Sequence, residues 1–265
     1  MCFLKIIVLV KQVPGTDSVK LDPVTGVMVR TGKDVIINPL DENALAEAIR
    51  IKNTYPNVTI TAVSMGPVSA MKAIKEAIAM GADDGVLVSG REFAGSDTIA
   101  TAKVIAAAIK KTGDFDMIIC GERATDGETG QTAAMIAHYL NIPAQTYVSG
   151  LEILEDGVIV RRTVESGFER VQVTFPVLVS VNKDISDTGF PTLSGKLRAK
   201  NVQVPMWGNA EFGFDKSELG LTGSPTRVVK IFSPKLSRDT VMAKANGTMQ
   251  PIDELMSFLV QKDVL

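Results

Sequence analysis

Through the first 140 residues, short runs of aliphatic and β-branched side chains alternate with longer stretches whose apolar residues recur at helical spacing. That alternation leaves few folds open. Residues 6–10 (Ile-Ile-Val-Leu-Val) form a continuous apolar run, the pattern of a strand covered on both faces, and Pro14-Gly15 punctuates its end. Asn38-Pro39-Leu40-Asp41 opens an amphipathic helix over 42–53, with Leu45, Ala48, Ile49 and Ile51 on its apolar face and Pro39 suited to the first turn. A strand over 58–64, a turn at Met65-Gly66-Pro67 and a helix over 68–80 follow, with Ala70, Met71, Ile74, Ala77 and Ile78 facing inward. The pattern continues with strands at 85–89 and 117–120 and helices at 96–111 and 128–140. Repeated βα units imply a doubly wound α/β fold around a mostly parallel sheet. Right-handed crossovers put helices on both faces, and ligands then lie beyond the carboxyl ends of the strands. The loops gathered there are 11–17, 38–41, 64–67, 89–97 and 121–130.

After Pro143 the chain turns to β runs at 158–163, 171–174 and 176–181, with Asp156-Gly157 and Gly167 as turns, an antiparallel extension of the sheet. From about 184 it becomes irregular, with Gly, Pro and Asn scattered through 188–223 and one late helical pattern at 252–260. Either a disordered tail or an arm fits this pattern. Met206, Trp207, Phe212, Phe214 and Phe232 are a heavy apolar load for disorder, which favours an arm packing on another subunit. The expected division is therefore an α/β domain over 1–183 and a segment with a C-terminal arm over 184–265.

Several function classes are excluded. With 28 basic and 30 acidic residues the net charge is −2, without the basic excess that collects nucleic-acid phosphates. Cys2 and Cys120 lie far apart with no CxxC spacing, which suggests neither a disulfide framework nor a zinc site and fits a reducing cytoplasm. The apolar run 3–10 is too short to span a bilayer, so membrane insertion is not expected. His138, the only histidine, has no carboxylate or cysteine at metal spacing and is read as structural. No Ser–His–acid set can be built around it, so no catalytic side chain is assigned, and any redox or transfer chemistry would belong to a cofactor.

The most informative loop runs Gly121-Glu122-Arg123-Ala124-Thr125-Asp126-Gly127-Glu128-Thr129-Gly130-Gln131-Thr132, from a buried strand into a helix. Glycines permit close backbone approach, N–H groups at a helix start attract anions, and Thr125, Thr129, Gln131 and Thr132 can donate to phosphate or ribose. Asp126 and Glu128 would repel a phosphate unless they point away or bind ribose hydroxyls. The plain alternative is that Asp126 only caps the helix. The loop is neither a Walker sequence nor a GxGxxG fingerprint. A second strand-to-helix entrance, Arg91-Glu92-Phe93-Ala94-Gly95-Ser96-Asp97-Thr98, carries the same choice between anion binding and an N-cap at Ser96 or Asp97. Met65 and Gly66 offer a soft apolar wall for an aromatic ring, or simple core packing.

The residues also carry a family likeness over most of the chain. Val10-Lys11-Gln12-Val13-Pro14, Asn38-Pro39-Leu40-Asp41, Ala62-Val63-Ser64-Met65-Gly66-Pro67 and Ala79-Met80-Gly81-Ala82-Asp83 resemble beta subunits of electron transfer flavoproteins. So do the 121–132 loop and Phe190-Pro191-Thr192-Leu193-Ser194-Gly195-Lys196-Leu197-Arg198-Ala199-Lys200, the latter resembling the family's segment for meeting dehydrogenases. The resemblance implies an adenine-nucleotide-binding (HUP-like) sheet and a C-terminal arm embracing an alpha subunit that carries FAD. In the respiratory branch the beta subunit holds only AMP; in the electron-bifurcating branch the same pocket holds a second FAD. Thr125-Asp126-Gly127-Glu128-Thr129 and the 91–98 loop are closer to the bifurcating branch. Two departures stand out: Ser89-Gly90 precedes Arg91 where many bifurcating members have Asp, and Ala199-Lys200-Asn201-Val202 lacks a lysine cluster.

Carried over residue by residue, the resemblance assigns FAD, with AMP as alternative, to Leu9, Val10, Lys11, Asn38, Pro39, Leu40, Asp41, Met65, Gly66, Arg91, Gly95, Asp97, Thr98, Thr101 and residues 121–132. Pro191, Thr192, Leu193 and Lys196 are assigned to a partner. NADH would be the hydride donor. The expected partners are the alpha subunit, a flavin-dependent dehydrogenase of acyl-CoA, enoyl-CoA or hydroxy-acid type, and ferredoxin or flavodoxin. A stand-alone ATP-binding stress-type module with the same sheet is the reading from another class; the long segment after 184 argues against it.

Overall fold

The apolar run that opens the chain becomes β1 (Leu4–Leu9), and its alternation sets the two cores of the molecule: Ile6 and Val8 enter one, Ile7 and Leu9 the other. The structure is a computed structural model describing residues 3–15, 20–21, 28–29, 35–229 and 250–265. Cys2, residues 16–17 of the first loop and Phe232 lie outside the described residues. Short strands β2 (Gln12–Pro14), β3 (Lys20–Leu21), β4 (Met28–Val29) and β5 (Val35–Ile37) form two small antiparallel pairs, β2 with β5 and β3 with β4. The βα alternation then proceeds through α1 (Pro39–Thr54), β6 (Val58–Met65), α2 (Met71–Met80), β7 (Asp84–Val88), α3 (Thr98–Thr112), β8 (Met117–Gly121) and α4 (Thr132–Leu140). The extension consists of β9 (Ala144–Ile153), β10 (Gly157–Val164), β11 (Gly167–Thr174) and β12 (Val177–Val181). Beyond it come α5 (Leu193–Asn201), β13 (Met206–Trp207) and α6 (Gly220–Gly223).

Among the described residues the main sheet has nine strands in the order β11-β10-β9-β12-β8-β1-β6-β7-β13. All neighbours are parallel except the β9–β10 and β10–β11 pairs, so the mostly parallel sheet with an antiparallel edge is present as the sequence implied. One core lies beneath α1 and α2, built from Leu45, Ile51, Ile74 and Ile78 against Ile6, Ile60 and Ile119; the other lies beneath α3 and α4. Each fully buried isoleucine removes enough apolar surface from water to contribute about 1.5–3 kcal/mol.

One expectation needs correction. The helix expected over 128–140 begins only at Thr132, because Glu128 (φ 48°) and Gly130 (φ 63°) take left-handed backbone that no α-helix accommodates. Of the stretch after 184, the residues up to Val229 belong to the first compact unit, Met1–Val229. Part of its apolar load is covered within that unit, while Met206 stays exposed. Trp207, Phe212 and Phe214 pack against the core beneath α3, and Phe212 meets Phe93 and Trp207 with ring centroids 6.4 and 6.3 Å apart. The second unit, Lys230–Leu265, contains α7 (Gln250–Gln261), where Ile252, Leu255, Met256 and Leu259 recur on one face. No helix among the described residues is long and apolar enough to cross a membrane.

Candidate functional site

Parallel strands leave their following loops at one edge, and a single carboxylate organises that edge. Asp41, on the first turn of α1, accepts the Lys11 N–H at Oδ2 (2.8 Å) and the Gly121 N–H at Oδ1 (3.0 Å), joining the exits of β1 and β8. Burial pushes its pKa up to about 7, against the hydrogen bonds that favour the charged form. Gly121 has no room for a side chain: a Cβ there would sit 2.6 Å from Asp41 Oδ1 and 2.7 Å from the Leu40 Cβ. Asn38, fully buried, donates from its amide to the Arg123 carbonyl (2.9 Å) and accepts the Thr125 N–H (3.1 Å), while its own N–H bonds the Lys11 carbonyl (2.8 Å). These two side chains satisfy backbone groups that a loop would otherwise leave unpaired.

The loop they hold has a defined shape. It leaves the sheet with Glu122 N–H on the Val181 carbonyl (2.9 Å) and turns where Gly127 and Glu128 bond the Ala124 carbonyl (3.3 and 2.8 Å). It reverses through Glu128 and Gly130 into α4, whose first turn has no side-chain cap. Asp126 does not cap that helix. It pairs with Lys11, Nζ to Oδ1 at 2.6 Å, so its charge is matched by a cation of the neighbouring loop. Arg123 likewise pairs with Glu122 at 2.6 Å and lies 3.9 Å from Glu128. A Cβ on Gly127 would meet nothing, and Thr125, Thr129 and Gln131 are exposed. On β6, whose end faces the same sheet edge, Ser64 holds a buried hydroxyl without a partner, the only such side-chain atom among the described residues. Open space at Gly127, an uncapped helix start and an orphan hydroxyl fit an anionic nucleotide.

Lys11, Asn38, Asp41, Gly121, Arg123, Thr125 and Asp126 are thus one hydrogen-bonded cluster. Leu9 ends β1 below it and Val10 follows, both buried, and Pro39 and Leu40 begin α1. Met65 packs on the core beneath α3, and the Gly66 N–H bonds the Val88 carbonyl (3.0 Å). The 91–98 loop is organised differently, with no hydrogen bond to residues 121–132 among the described residues. Asp97 caps α3 through Oδ1 (Ile99 and Ala100 N–H, both 3.0 Å) and holds Thr226 through Oδ2 (N–H 3.0 Å, hydroxyl 2.8 Å). Burial opposes its ionisation, but these bonds outweigh it and keep the carboxyl below its ordinary value. Gly95 (φ 77°) lies under Leu221, Arg91 is exposed, and Thr98 and Thr101 are half-buried on the first turn of α3. Burial pushes the Cys120 thiol up, which keeps it protonated and inert.

The partner-directed residues sit on and before α5, a helix the sequence reading missed because its glycine and charged residues blur the apolar stripe. Thr192 caps it through the Gly195 N–H (3.0 Å). Phe190 and Leu193 are 96% and 77% exposed, while Pro191 and Lys196 line a groove of about 420 Å³ with Lys75, Glu76 and Ala79. The two helices flanking this groove cap each other. Arg198 bonds the Ile78 and Ala82 carbonyls (2.7 and 2.6 Å) at the end of α2, and Lys75 bonds the Ala199 (2.7 Å) and Val202 carbonyls at the end of α5.

Comparison with known proteins shows the family. The electron transfer flavoprotein domain family matches residues 25–211. The electron transfer flavoprotein subunit beta of Megasphaera elsdenii is 39% identical, with 99% of this chain and all of the relative covered. The caffeyl-CoA reductase-Etf complex subunit CarD of Acetobacterium woodii (36%) and the acryloyl-CoA reductase electron transfer subunit gamma of Anaerotignum propionicum (37%) are covered to the same extents. From its sheet, its strand-end loops and these relatives, the chain belongs to the electron transfer flavoprotein family, as a beta subunit.

Proposed function

We propose that the edge loops around Lys11, Asn38, Asp41 and residues 121–132 hold the adenosine diphosphate half of an FAD, and that the chain passes electrons from NADH toward an alpha-subunit flavin. The observation that carries this reading is the pairing of Lys11 with Asp126 next to Gly127. Asp126 is matched by Lys11, and Gly127 faces open space beside an uncapped helix. Bound there, a flavin would supply hydride acceptance and one-electron release; the chain supplies binding, charge and exclusion of water. Backbone N–H groups near Thr129 and Gly130 would face the phosphates, with Thr125, Thr129 and Gln131 as donors. Reductase-associated relatives in Acetobacterium woodii and Anaerotignum propionicum support a route to a CoA-ester reductase; ferredoxin or flavodoxin would be the second acceptor by the family resemblance alone. Pro191, Thr192, Leu193 and Lys196 would meet that dehydrogenase. The unit 230–265, with the apolar stripe of α7, would serve as the arm on the alpha subunit.

A second reading, AMP alone as a structural ligand, draws on one observation: both acids of the 91–98 entrance are engaged within the protein, Asp97 with α3 and Thr226 and Glu92 with the Asn209 N–H. The two are separated by the flavin and AMP content of the co-purified alpha–beta complex. Two FAD per heterodimer are expected; one FAD with one AMP would establish the second reading.

A further inference from the structure

Strand β9 contains the most unusual backbone near the site. Gln145 pairs with Val179 and Val148 with Val181, so Thr146 and Tyr147 together stand opposite Ser180 on β12. The register against β10 also shifts here, Val148 pairing with Arg162 and Gly150 with Arg161. Tyr147 takes the bulge position with φ 58°, a left-handed conformation that glycine adopts freely and a bulky side chain rarely does. The neighbours hold it there. Arg162 donates to the Thr146 carbonyl (3.0 Å), and the Val148 carbonyl accepts the Asn182 N–H (3.0 Å). Strain of this kind persists where surrounding contacts over-determine it, and bulges beside binding sites re-aim a side chain.

Here the bulge aims Tyr147 at the nucleotide loop. The residue stays 46% exposed, and its hydroxyl lies 3.7 Å from the place a Cβ on Gly130 would occupy, two residues before the uncapped start of α4. We infer that Tyr147 is a further ligand-binding residue of this site, its phenolic O–H donating to an oxygen of the bound nucleotide's phosphate. The inference rests on the nucleotide-site reading above. It accounts for a tyrosine where glycine would fit the backbone better: the ring's reach brings a hydroxyl donor to the loop at Gly130, beside the uncapped start of α4.

The test is a titration of the full-length alpha–beta complex, stripped of nucleotide, with AMP and with adenosine. Tyr147→Phe should weaken AMP about tenfold or more, the scale of one hydrogen bond to a charged group, and leave adenosine unchanged. Tyr147→Gly, which relieves the backbone, should keep a cooperative unfolding transition while showing the same selective loss. Wild-type AMP affinity in Tyr147→Phe, or equal losses for AMP and adenosine, would overturn the assignment to phosphate. A wild-type complex that binds neither probe would instead remove the nucleotide site itself, and this role with it.

Discussion

Lys11 at the exit of β1 and Asp126 in the loop after β8 are 115 residues apart in sequence and meet at 2.6 Å. The pair is partly exposed, so its own contribution to folding is under about 1 kcal/mol. Its effect on an incoming anion is larger. Lys11→Met is expected to leave the melting temperature nearly unchanged and to weaken AMP binding several-fold, more at low ionic strength, because Asp126 then faces the phosphate unmatched. Asp126→Asn should bind AMP at least as well as the wild type. Calorimetric titrations at two salt concentrations check both.

Glycines 121 and 127 should fail in opposite ways. Gly121→Ala drives a methyl into Asp41 and Leu40 and is expected to destabilise the fold by about 1–3 kcal/mol in a denaturant titration. In Gly127→Val the new Cβ has open space around it, so the circular dichroism and melting temperature should hold while nucleotide content falls. Retained nucleotide in Gly127→Val would argue that the ligand lies elsewhere.

The buried Asp41 predicts a pH dependence. A carboxyl whose folded pKa, about 7, exceeds its ordinary 3.8 stabilises the fold fully below the lower value and loses that contribution as pH rises through the upper one. Stability should therefore decline between pH 4 and 7 by up to about 1.4 kcal/mol per unit, superimposed on other groups. Asp41→Asn should flatten this slope. It should also be less stable than the wild type, since an amide nitrogen replaces one of two acceptors and leaves the Lys11 or Gly121 N–H unpaired.

Reciprocal capping makes α5 dependent on one guanidinium. Arg198→Ala removes the bonds to the Ile78 and Ala82 carbonyls and should loosen α5, raising amide exchange over Leu193–Asn201 by about tenfold or more while strands β1, β6 and β8 stay protected. Arg198→Lys should recover only part of the protection, because an ammonium lacks the guanidinium fork.

The sheet and its helices were legible because their signals are local and periodic: Ile6 to Val10, or Ile74 with Ala77 and Ile78, declare strand and helix within one window. The candidate loop was legible from its glycines and its place between strand and helix. The roles of Asn38 and Asp41 as clamps were not, since they depend on partners 80 or more residues away, such as Gly121 and Arg123. Nor was the fold of residues 184–229. Trp207 and Phe212 show only that apolar surface needs cover, and which surface supplies it is a tertiary matter. Tyr147 gave no signal at all, because a left-handed tyrosine is imposed by register shifts on both neighbouring strands.

Because β12 lies between β9 and β8, the middle of the sheet is completed out of chain order. A nascent chain that has emerged through residue 174 already carries every residue of the 121–132 loop, yet β8 still has an empty flank and Glu122 lacks the Val181 carbonyl to which it is tethered. On the ribosome the site must therefore wait for a strand made some fifty residues after the loop. A fragment ending before Val177 would hold the whole loop sequence without the strand it leans on.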